Sequence, residues 1–285
     1  MTDMQTRAGF VALIGEPNAG KSTLTNRMVG AKVSIVTHKV QTTRARIRGV
    51  ALEGASQLVF VDTPGLFKPT RRLDRAMVAA AWGGAADADV VVLMIEANRG
   101  VTEGVERILE GLQDFGEHRK IALAINKIDR IKSEALLALS EKMNEAYPFV
   151  ATFMISAERG HGVDALKEWL AGEVPEGPWL YPEDQIADLP LRMIAAEMTR
   201  EKLTLRLHQE LPYQLTVETE AWEERKDGSC KIDQLIYVMR DGHKGIVLGN
   251  KGETIKAVGK AAREELVEFL GRKVHLFLQI KVREG

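Results

Sequence analysis

Hydrophobic residues follow two alternating patterns along the first 174 residues, and their order predicts strands that alternate with helices. Short apolar runs, such as Phe-Val-Ala-Leu-Ile at 10–14, end at glycine, proline or polar residues, which is typical of buried strands. Between these runs, apolar residues recur at the three- and four-residue spacing of a helix. The predicted strands are 10–14, 47–52, 57–62, 90–96, 121–126 and 153–155. The predicted helices are a stretch containing Leu24, Met28 and Val29, and about 74–86, 103–115, 133–146 and 163–171.

This alternation of strands and helices predicts a mostly parallel sheet with helices on both faces, which is an α/β fold. The strands at 47–52 and 57–62 are separated by only four residues. That separation is hairpin length, and a hairpin pairs its two strands antiparallel. One antiparallel edge strand is therefore predicted in this sheet.

The pattern stops at 172–182, where three prolines and two glycines fall within 11 residues. This composition is typical of a connection between domains. We therefore predict a first domain over 1–174, a linker over 175–188 and a second domain over 189–285.

The second domain shows a different order of elements: helix, strand, strand, helix, helix, strand. Helical spacing of apolar residues over 190–207 predicts the first helix. Strands are predicted at 213–222 and 231–239, on either side of a turn at 225–229. A helix after residue 252 and a last strand over 274–282 complete a smaller α+β domain.

Composition and charge narrow the class of protein. Hydrophobic residues make up 45% of the chain and charged residues 28%, which is globular rather than disordered composition. Lys and Arg total 39 against 40 for Asp and Glu, so the net charge is −1. This balance argues against a protein that is basic throughout and coats nucleic acid, although it allows a local basic patch.

Other features of the sequence bear on the compartment. Cys230 is the single cysteine, which excludes a disulfide within the chain. Apolar runs such as the six residues at 90–95 are short, whereas a membrane-spanning helix needs roughly 20. The first ten residues lack the charged and apolar regions of a signal peptide. Together these features predict a soluble, cytoplasmic protein.

The sequence Gly-Glu-Pro-Asn-Ala-Gly-Lys-Ser at 15–22 matches the phosphate-loop pattern G-x-x-x-x-G-K-[ST]. It follows a predicted strand and opens a predicted helix, which is the context that this pattern requires. Backbone N–H groups of such a loop wrap a phosphate chain, and the helix N-terminus adds its positive end. We predict that Lys21 reaches the β- and γ-phosphates and that the Ser22 hydroxyl ligates Mg²⁺. The predicted phosphate-binding residues are Gly15, Pro17, Asn18, Ala19, Gly20, Lys21, Ser22, Thr23 and Gly65.

Two later segments predict which base the nucleotide carries. Asn126-Lys127-Ile128-Asp129 ends one predicted strand, and Ser156-Ala157-Glu158 ends the next. The Asp129 carboxylate can accept hydrogen bonds from the ring N–H and the exocyclic amine of guanine, a donor pair that adenine lacks. We expect Asn126 to tie the loops together, the Lys127 stem to pack over the base, and the Ala157 N–H to meet the guanine carbonyl. The predicted guanine-binding residues are Asn126, Lys127, Asp129, Ser156 and Ala157.

Two segments are the predicted switches, which γ-phosphate contacts order and hydrolysis releases. Switch I contains Gln41, Thr42 and Thr43, and one of its threonines is expected to ligate Mg²⁺ when the γ-phosphate is present. The register of related GTPases favours Thr43 over Thr42. Switch II contains Thr63, Pro64, Gly65 and Leu66. The predicted magnesium site is formed by Ser22, Thr43 and Asp62.

Two further positions bear on hydrolysis. Leu66 stands where Ras-type GTPases carry a water-orienting glutamine. Leucine cannot polarise water, so we predict slow intrinsic hydrolysis and a different element, or a partner, that positions the water. Asn18 has two open roles: to help hold a monovalent cation such as K⁺, as in some GTPases with asparagine here, or only to cap the loop.

The second domain carries Gly249-Asn250-Lys251-Gly252 between two predicted helices. A G-x-x-G loop alone is a weak signal, but in this order of elements it is typical of a KH module, which clamps about four nucleotides. Five basic residues stand against two acidic ones over 240–260, which indicates a local positive patch. The predicted RNA-binding residues are Gly249, Asn250, Lys251, Gly252, Lys256 and Lys260.

A guanine-nucleotide domain followed by a linker and a KH domain resembles the Era family of GTPases. The matching segments are 15–23, 41–44, 62–66, Glu-Leu-Pro-Tyr at 210–213 and Val-Leu-Gly-Asn-Lys-Gly at 247–252, and the resemblance covers about 8 to 283. It implies a bacterial, monomeric GTPase with a type II KH domain, which uses GTP or GDP and Mg²⁺. It further implies binding to the 3′ end of 16S rRNA, maturation of the 30S subunit precursor and association with the inner membrane surface.

A function of another class stays open from the sequence. The chain could be a membrane-associated or protein-binding regulatory GTPase whose KH-like domain docks partners other than rRNA. Salt dependence separates the two hypotheses, because RNA binding weakens steeply with salt through counterion release.

Overall fold

A computed structural model describes residues 5–34, 47–63, 65–66, 72–113, 120–183, 191–207, 211 and 214–283. These residues form two compact units, one containing the described residues up to 183 and the other those from 191 onward. Predicted switch I lies outside the described residues, as does Pro64 of predicted switch II.

The first unit is built around a six-stranded sheet in the order β2-β3-β1-β4-β5-β6. All neighbouring strands pair parallel except β2 and β3, which form an antiparallel hairpin at the edge. The α/β fold with one antiparallel edge strand is therefore confirmed. The elements are β1 (Arg7–Gly15), α1 (Lys21–Val29), β2 (Ile47–Glu53), β3 (Ser56–Asp62), α2 (Arg72–Ala86), β4 (Val90–Glu96), α3 (Glu103–Gln113), β5 (Lys120–Asn126), α4 (Ser133–Ala146), β6 (Ala151–Met154) and α5 (Val163–Glu173).

Helices cover both faces of this sheet. One hydrophobic cluster joins the sheet to α2, α3 and α4, and a second joins the opposite face to α1 and α5. Successive strand residues point to opposite faces, so Leu13 and Ile14 of β1 lie in different clusters and both are fully buried. Because β1, β4 and β5 pair parallel, their carboxyl ends meet at one edge of the sheet, where open α/β sheets bind ligands.

The predicted linker begins as part of the first unit. Residues 174–181 lie along the amino-terminal ends of β1 and β3. The buried side chain of Gln57 accepts hydrogen bonds from the N–H groups of Leu180 and Tyr181 at 2.8 and 2.9 Å and donates one to the Tyr181 carbonyl at 2.8 Å. Each such bond contributes about 0.5–1.5 kcal/mol. This half of the predicted linker is consequently held in place.

The second unit contains a three-stranded sheet in the order β7-β8-β9. Strands β7 and β8 pair antiparallel, β8 and β9 pair parallel, and α6 and α8 pack on the sheet through residues such as Leu203 and Val258. The register of β7 shifts between Thr219 and Ala221, and this bulge interrupts the regular pairing of the strand with β8. The predicted order of elements is confirmed. The elements are α6 (Leu191–Arg206), β7 (Leu215–Glu224), β8 (Cys230–Val238), α7 (Asp241–Leu248), α8 (Glu253–Leu270) and β9 (Val274–Val282).

Within the described ranges, no helix combines the length and the apolar character needed to cross a bilayer.

Candidate functional site

The predicted phosphate loop requires glycine at two backbone positions. Gly15 and Gly20 have φ angles of 151° and 102°, which residues with a side chain rarely adopt. A Cβ atom at Gly15 would overlap with the Met94 carbonyl oxygen, and one at Gly20 would overlap with the Asn126 side-chain amide. Glycine therefore lets the loop pass close to β4 and to the loop after β5.

Lys21 concentrates positive charge at this loop. It is the first residue of α1, it is buried, and its Nζ donates hydrogen bonds to the carbonyls of Gly15 at 3.1 Å and Glu16 at 3.0 Å. The N-terminus of α1 adds the positive end of the helix dipole at the same place. This combination suits a phosphate chain.

The other predicted phosphate-binding residues complete the turn into α1. Asn18 adopts a left-handed conformation with a φ of 65°. Ala19 is buried, and its N–H lies 3.3 Å from the Glu16 carbonyl. Ser22 and Thr23 occupy the first turn of α1 and are half-buried.

Glu16 ties the phosphate loop to α3, a contact that sequence reasoning missed. Its carboxylate accepts a hydrogen bond from the Thr102 hydroxyl at 2.8 Å, and the Arg99 guanidinium lies 3.8 Å away. The Thr102 hydroxyl also accepts a bond from the Val105 N–H at 3.2 Å, as the cap of α3. The only sign of this contact in the sequence is a threonine directly before a helix that begins with an acidic residue.

The segment after β3 lies against the phosphate loop. Asp62 ends β3 in register with Leu13 of β1, and Thr63 is buried with its hydroxyl donating to the Leu13 carbonyl at 2.7 Å. A Cβ at Gly65 would come within 2.8 Å of the Pro17 Cα. Thr63, predicted as part of a switch, therefore anchors its segment to β1.

Leu66 is fastened to the same loop through its backbone. Its N–H donates to the Gly15 carbonyl at 2.9 Å, while its side chain is buried in the core cluster under α2 and α3. A side chain that packs in the core cannot orient a water molecule. Slow intrinsic hydrolysis stays a prediction. It has two reasons: leucine cannot polarise water, and the Leu66 side chain is packed in the core.

Asn126 joins the phosphate loop to the 156–158 loop. Its buried amide donates to the Ala19 carbonyl at 2.8 Å and accepts from the Ala157 N–H at 2.9 Å. The sequence predicted that the Ala157 N–H would meet a guanine carbonyl, whereas in the structure this N–H donates to Asn126. The three loops consequently form one connected unit at the carboxyl end of the sheet.

Asp129 and Ser156, both predicted to bind guanine, are in direct contact. The Ser156 hydroxyl donates to the Asp129 carboxylate at 2.6 Å, and the Arg159 guanidinium lies 3.6 Å from the second carboxylate oxygen. The Ser156 hydrogen bond, aided by Arg159, holds the pKa of Asp129 below its ordinary value. The carboxylate therefore stays ionised at neutral pH, as an acceptor of two hydrogen bonds requires.

Lys127 precedes this carboxylate in a left-handed conformation with a φ of 64°. Its ammonium group forms an ion pair with Glu96 at 2.7 Å, and both side chains are largely buried. This pair fixes the Lys127 stem at the end of β4 and β5.

Arg27 reaches the same region from α1, a contact that no motif in the sequence predicts. Its guanidinium donates hydrogen bonds to the carbonyls of Ala157, at 2.6 Å, and Glu158. A Cβ at Gly160 would come within 3.0 Å of its Nη1 atom. Helix α1 therefore begins at the phosphate loop and holds the 157–160 loop near its other end.

In the second unit, the 249–252 loop makes a tight turn between α7 and α8. Gly249, Lys251 and Gly252 have φ angles of 71°, 49° and 80°. A Cβ at Gly249 would contact the Thr254 backbone nitrogen at 2.9 Å, whereas the space beside Gly252 is open. Asn250 and Lys251 are exposed at the tip.

The basic residues after this loop lie on one exposed face of α8. Lys256 and Lys260 point to solvent at an interval of four residues, while Val258 and Ala262 are buried on the opposite face. Lys260 is 71% exposed, and Glu264 lies 3.9 Å from its ammonium group, a pair that contributes little. The loop and this face together offer charge and close backbone approach to a polyanion.

Comparison with known proteins shows which family has this combination. A family model described as "50S ribosome-binding GTPase" matches residues 10–127, and one described as "KH domain" matches residues 210–285. GTPase Era of Dinoroseobacter shibae is 80% identical over 98% of this chain and 91% of its own length. GTPase Era of Brucella suis is 62% identical over 99% of this chain and 90% of its own length. The chain belongs to the Era family of GTPases.

Solved Era structures share the whole fold. Aquifex aeolicus Era bound to GDP and AlF4⁻ superimposes with a TM-score of 0.91 at 37% identity, covering 98% of this chain and 95% of that one. A second solved structure, of Era in complex with MgGDPNP and nucleotides 1506–1542 of 16S ribosomal RNA, gives a TM-score of 0.90 at 37% identity and covers 98% of this chain and 94% of that one. The predicted family, the GTPase activity and the two-part fold with a KH domain are confirmed.

Proposed function

We propose that this Era-family chain is a GTP-driven switch whose KH domain binds the 3′ end of 16S rRNA and which assists maturation of the 30S subunit. One observation carries the proposal: a phosphate loop and a G-x-x-G loop beside an exposed basic face occur in one chain. The similarity to an Era that holds both MgGDPNP and a 16S rRNA fragment supports it. The description "50S ribosome-binding GTPase" belongs to a model that matches only residues 10–127, outside the KH domain.

The nucleotide site supplies the chemistry of this switch. Hydrolysis of GTP to GDP and phosphate needs positioning and charge stabilisation more than covalent catalysis. Lys21 and the α1 N-terminus would stabilise charge on the phosphates, and Asp129 would select guanine. The connected loops around Asn126 would hold these groups in fixed positions.

A magnesium ion fits the residues beside Lys21. The Ser22 hydroxyl stands one residue after Lys21, and Asp62 ends β3 in register with Leu13, two residues before the phosphate loop. Hydroxyl and carboxylate oxygens are the ligands that Mg²⁺ prefers. Ser22, Asp62 and Thr43 would hold the ion, which neutralises charge on the β- and γ-phosphates when bound. Asn18 is the candidate residue for a K⁺ ion.

The RNA site would act through close backbone approach and charge. The turn at Gly249 and Gly252 presents exposed backbone at its tip, and Lys251, Lys256 and Lys260 would contact phosphates. The GTP state would bind immature small subunits, and hydrolysis would release them. We also propose a cytoplasmic location and a monomeric state, with peripheral attachment to the inner membrane surface.

Salt dependence tests the RNA assignment. If three lysines contact phosphates of a single strand, the logarithm of the association constant should fall with the logarithm of salt with a slope of about −2. The measurement is a titration of a labelled oligonucleotide from the 16S rRNA 3′ end over a range of salt concentrations. Lys256→Gln should reduce the slope by about 0.7, while Lys142→Gln on exposed α4 should leave it unchanged.

Two outcomes of this titration contradict the assignment. A slope near zero, or equal effects of the Lys256 and Lys142 variants, would show that the RNA does not lie on α8. The alternative, a KH-like domain that docks a protein or a membrane surface, would then be favoured.

A further inference from the structure

We propose that Arg27 is a positioning residue for guanine recognition, because it fixes the direction in which the 157–159 peptides present their N–H groups. The proposal rests on the assignment of the guanine loops given under the proposed function. Arg27 lies on α1, outside the sequence motifs that identify the nucleotide site.

The contacts of Arg27 define one edge of the 156–160 loop. Its Nε donates to the Ala157 carbonyl at 2.6 Å, and its Nη2 donates to the Glu158 carbonyl. Among the contacts of the described residues, only those from Arg27 reach these two carbonyls. Hydrogen bonds from charged donors contribute more than those from neutral donors.

The rest of the loop is held by contacts of a different kind. The Ser156 N–H donates to the His161 carbonyl at 2.9 Å, and the Gly160 N–H donates to the Ser156 carbonyl at 2.7 Å. These bonds close the ends of the loop. In its middle, Arg27 holds the Ala157 and Glu158 carbonyls, and the Arg159 N–H donates to the Ser156 hydroxyl at 3.3 Å. Removing the guanidinium would leave the peptide between Ala157 and Glu158 free to rotate.

Peptide geometry turns the carbonyl contacts into a direction for the N–H groups. The peptides are trans and planar, so the C=O and the N–H of one peptide point in opposite directions. With the Ala157 carbonyl held at Arg27, the Glu158 N–H of the same peptide points away from α1. The Arg159 N–H likewise points away from α1, and it donates a hydrogen bond to the Ser156 hydroxyl at 3.3 Å.

This orientation matters for the base. An N–H group attracts the 6-oxo group of guanine, whereas a carbonyl oxygen in its place would repel it. Arg27 therefore favours purines with a 6-oxo group by keeping loop carbonyls turned toward itself. It acts through the loop and does not touch the base.

Helix α1 also links this effect to the phosphates. Lys21 and Arg27 are six residues apart on one helix, which corresponds to about 9 Å along its axis. A rigid helix thus sets the distance between the phosphate loop and the base loop. Loss of Arg27 should therefore raise the KM for GTP more than it lowers kcat.

The test compares GDP with the diphosphate of 2-aminopurine riboside, which lacks the 6-oxo group and also the ring N–H that guanine donates to Asp129. The parent chain should bind GDP more tightly. Arg27→Ala should lose about tenfold in affinity for GDP and much less for the 2-aminopurine nucleotide, so the ratio between them shrinks. Arg27→Lys should recover part of the ratio, since it retains a charged donor. Arg107→Ala on α3, where Arg107 pairs with Glu103 at 3.7 Å, is the matched control.

The possible results distinguish failure of the role proposed for Arg27 from failure of the guanine-loop assignment on which that role rests. A parent chain that binds both nucleotides equally would overturn the guanine-loop assignment and the role of Arg27 with it. A parent that discriminates, together with an Arg27→Ala variant that keeps the same ratio, would overturn only the role of Arg27. An equal loss for both nucleotides, with a lowered melting temperature, would likewise reduce Arg27 to a structural residue.

Discussion

Replacing Asp129 with asparagine is expected to change the preferred base from guanine to xanthine. The carboxylate accepts two hydrogen bonds from guanine, whereas an amide presents a donor where guanine also presents one. Xanthine carries an oxo group at that position and matches the amide. One hydrogen bond is thus replaced by two donors that face each other, and this predicts a loss of GTP affinity of about a hundredfold. Competition between GDP and xanthosine diphosphate for the purified variant measures this change.

The variant is conservative toward the rest of the loop. The amide oxygen of asparagine can still accept the hydrogen bond from Ser156 that the carboxylate accepts at 2.6 Å. Asp164→Asn makes the same chemical change at an exposed position on α5 and should leave both affinities unaltered. Unchanged GTP affinity in Asp129→Asn would contradict the assignment of the base pocket.

Replacing Gly252 with aspartate is expected to abolish RNA binding and leave GTP hydrolysis intact. Gly252 has a φ of 80°, and the space beside it is open, so the substitution strains the backbone locally without a collision. The new carboxylate would stand next to Lys251 and repel the RNA backbone. Like charges brought together at an interface cost several kcal/mol, which corresponds to a loss of about a hundredfold. Oligonucleotide binding and GTP turnover are measured on the same preparation.

Gly252→Asn separates charge from strain. Asparagine has the shape of aspartate and tolerates the left-handed region better than most residues, but it carries no charge. It should therefore keep much of the RNA affinity that Gly252→Asp loses. Equal loss of RNA binding and hydrolysis in Gly252→Asp would contradict the division into two functional modules.

The sequence predicted the fold because local pattern and motif spacing are short-range properties. Apolar runs located every strand of the parallel sheet, and the four-residue separation of β2 and β3 predicted their hairpin. The ends were less accurate: β1 begins at Arg7, three residues before the predicted start, because Arg7 pairs with Ser56 of β3. Such pairing is made by the backbone and leaves no trace in hydrophobicity.

Contacts between distant segments were beyond the sequence. Arg27 meets Ala157, 130 residues away, and Gln57 holds Tyr181, 124 residues away. Helical spacing predicts which face of α1 is buried but not which carbonyl a long exposed side chain reaches. Composition predicted a linker at 175–188 but could not show that Gln57 holds its first part in place. A proline-rich segment can either lie on the surface of a domain or connect two separate domains.

The central claim is that nucleotide state controls RNA binding by this chain. The most direct measurement is the affinity of the purified full chain for a 16S rRNA 3′-end oligonucleotide, with a non-hydrolysable GTP analogue and with GDP. We expect tighter binding with the GTP analogue, by about fivefold or more, as is typical of coupled sites. A chain that binds GTP but shows no affinity for the oligonucleotide, or equal affinity in both states, would contradict the claim.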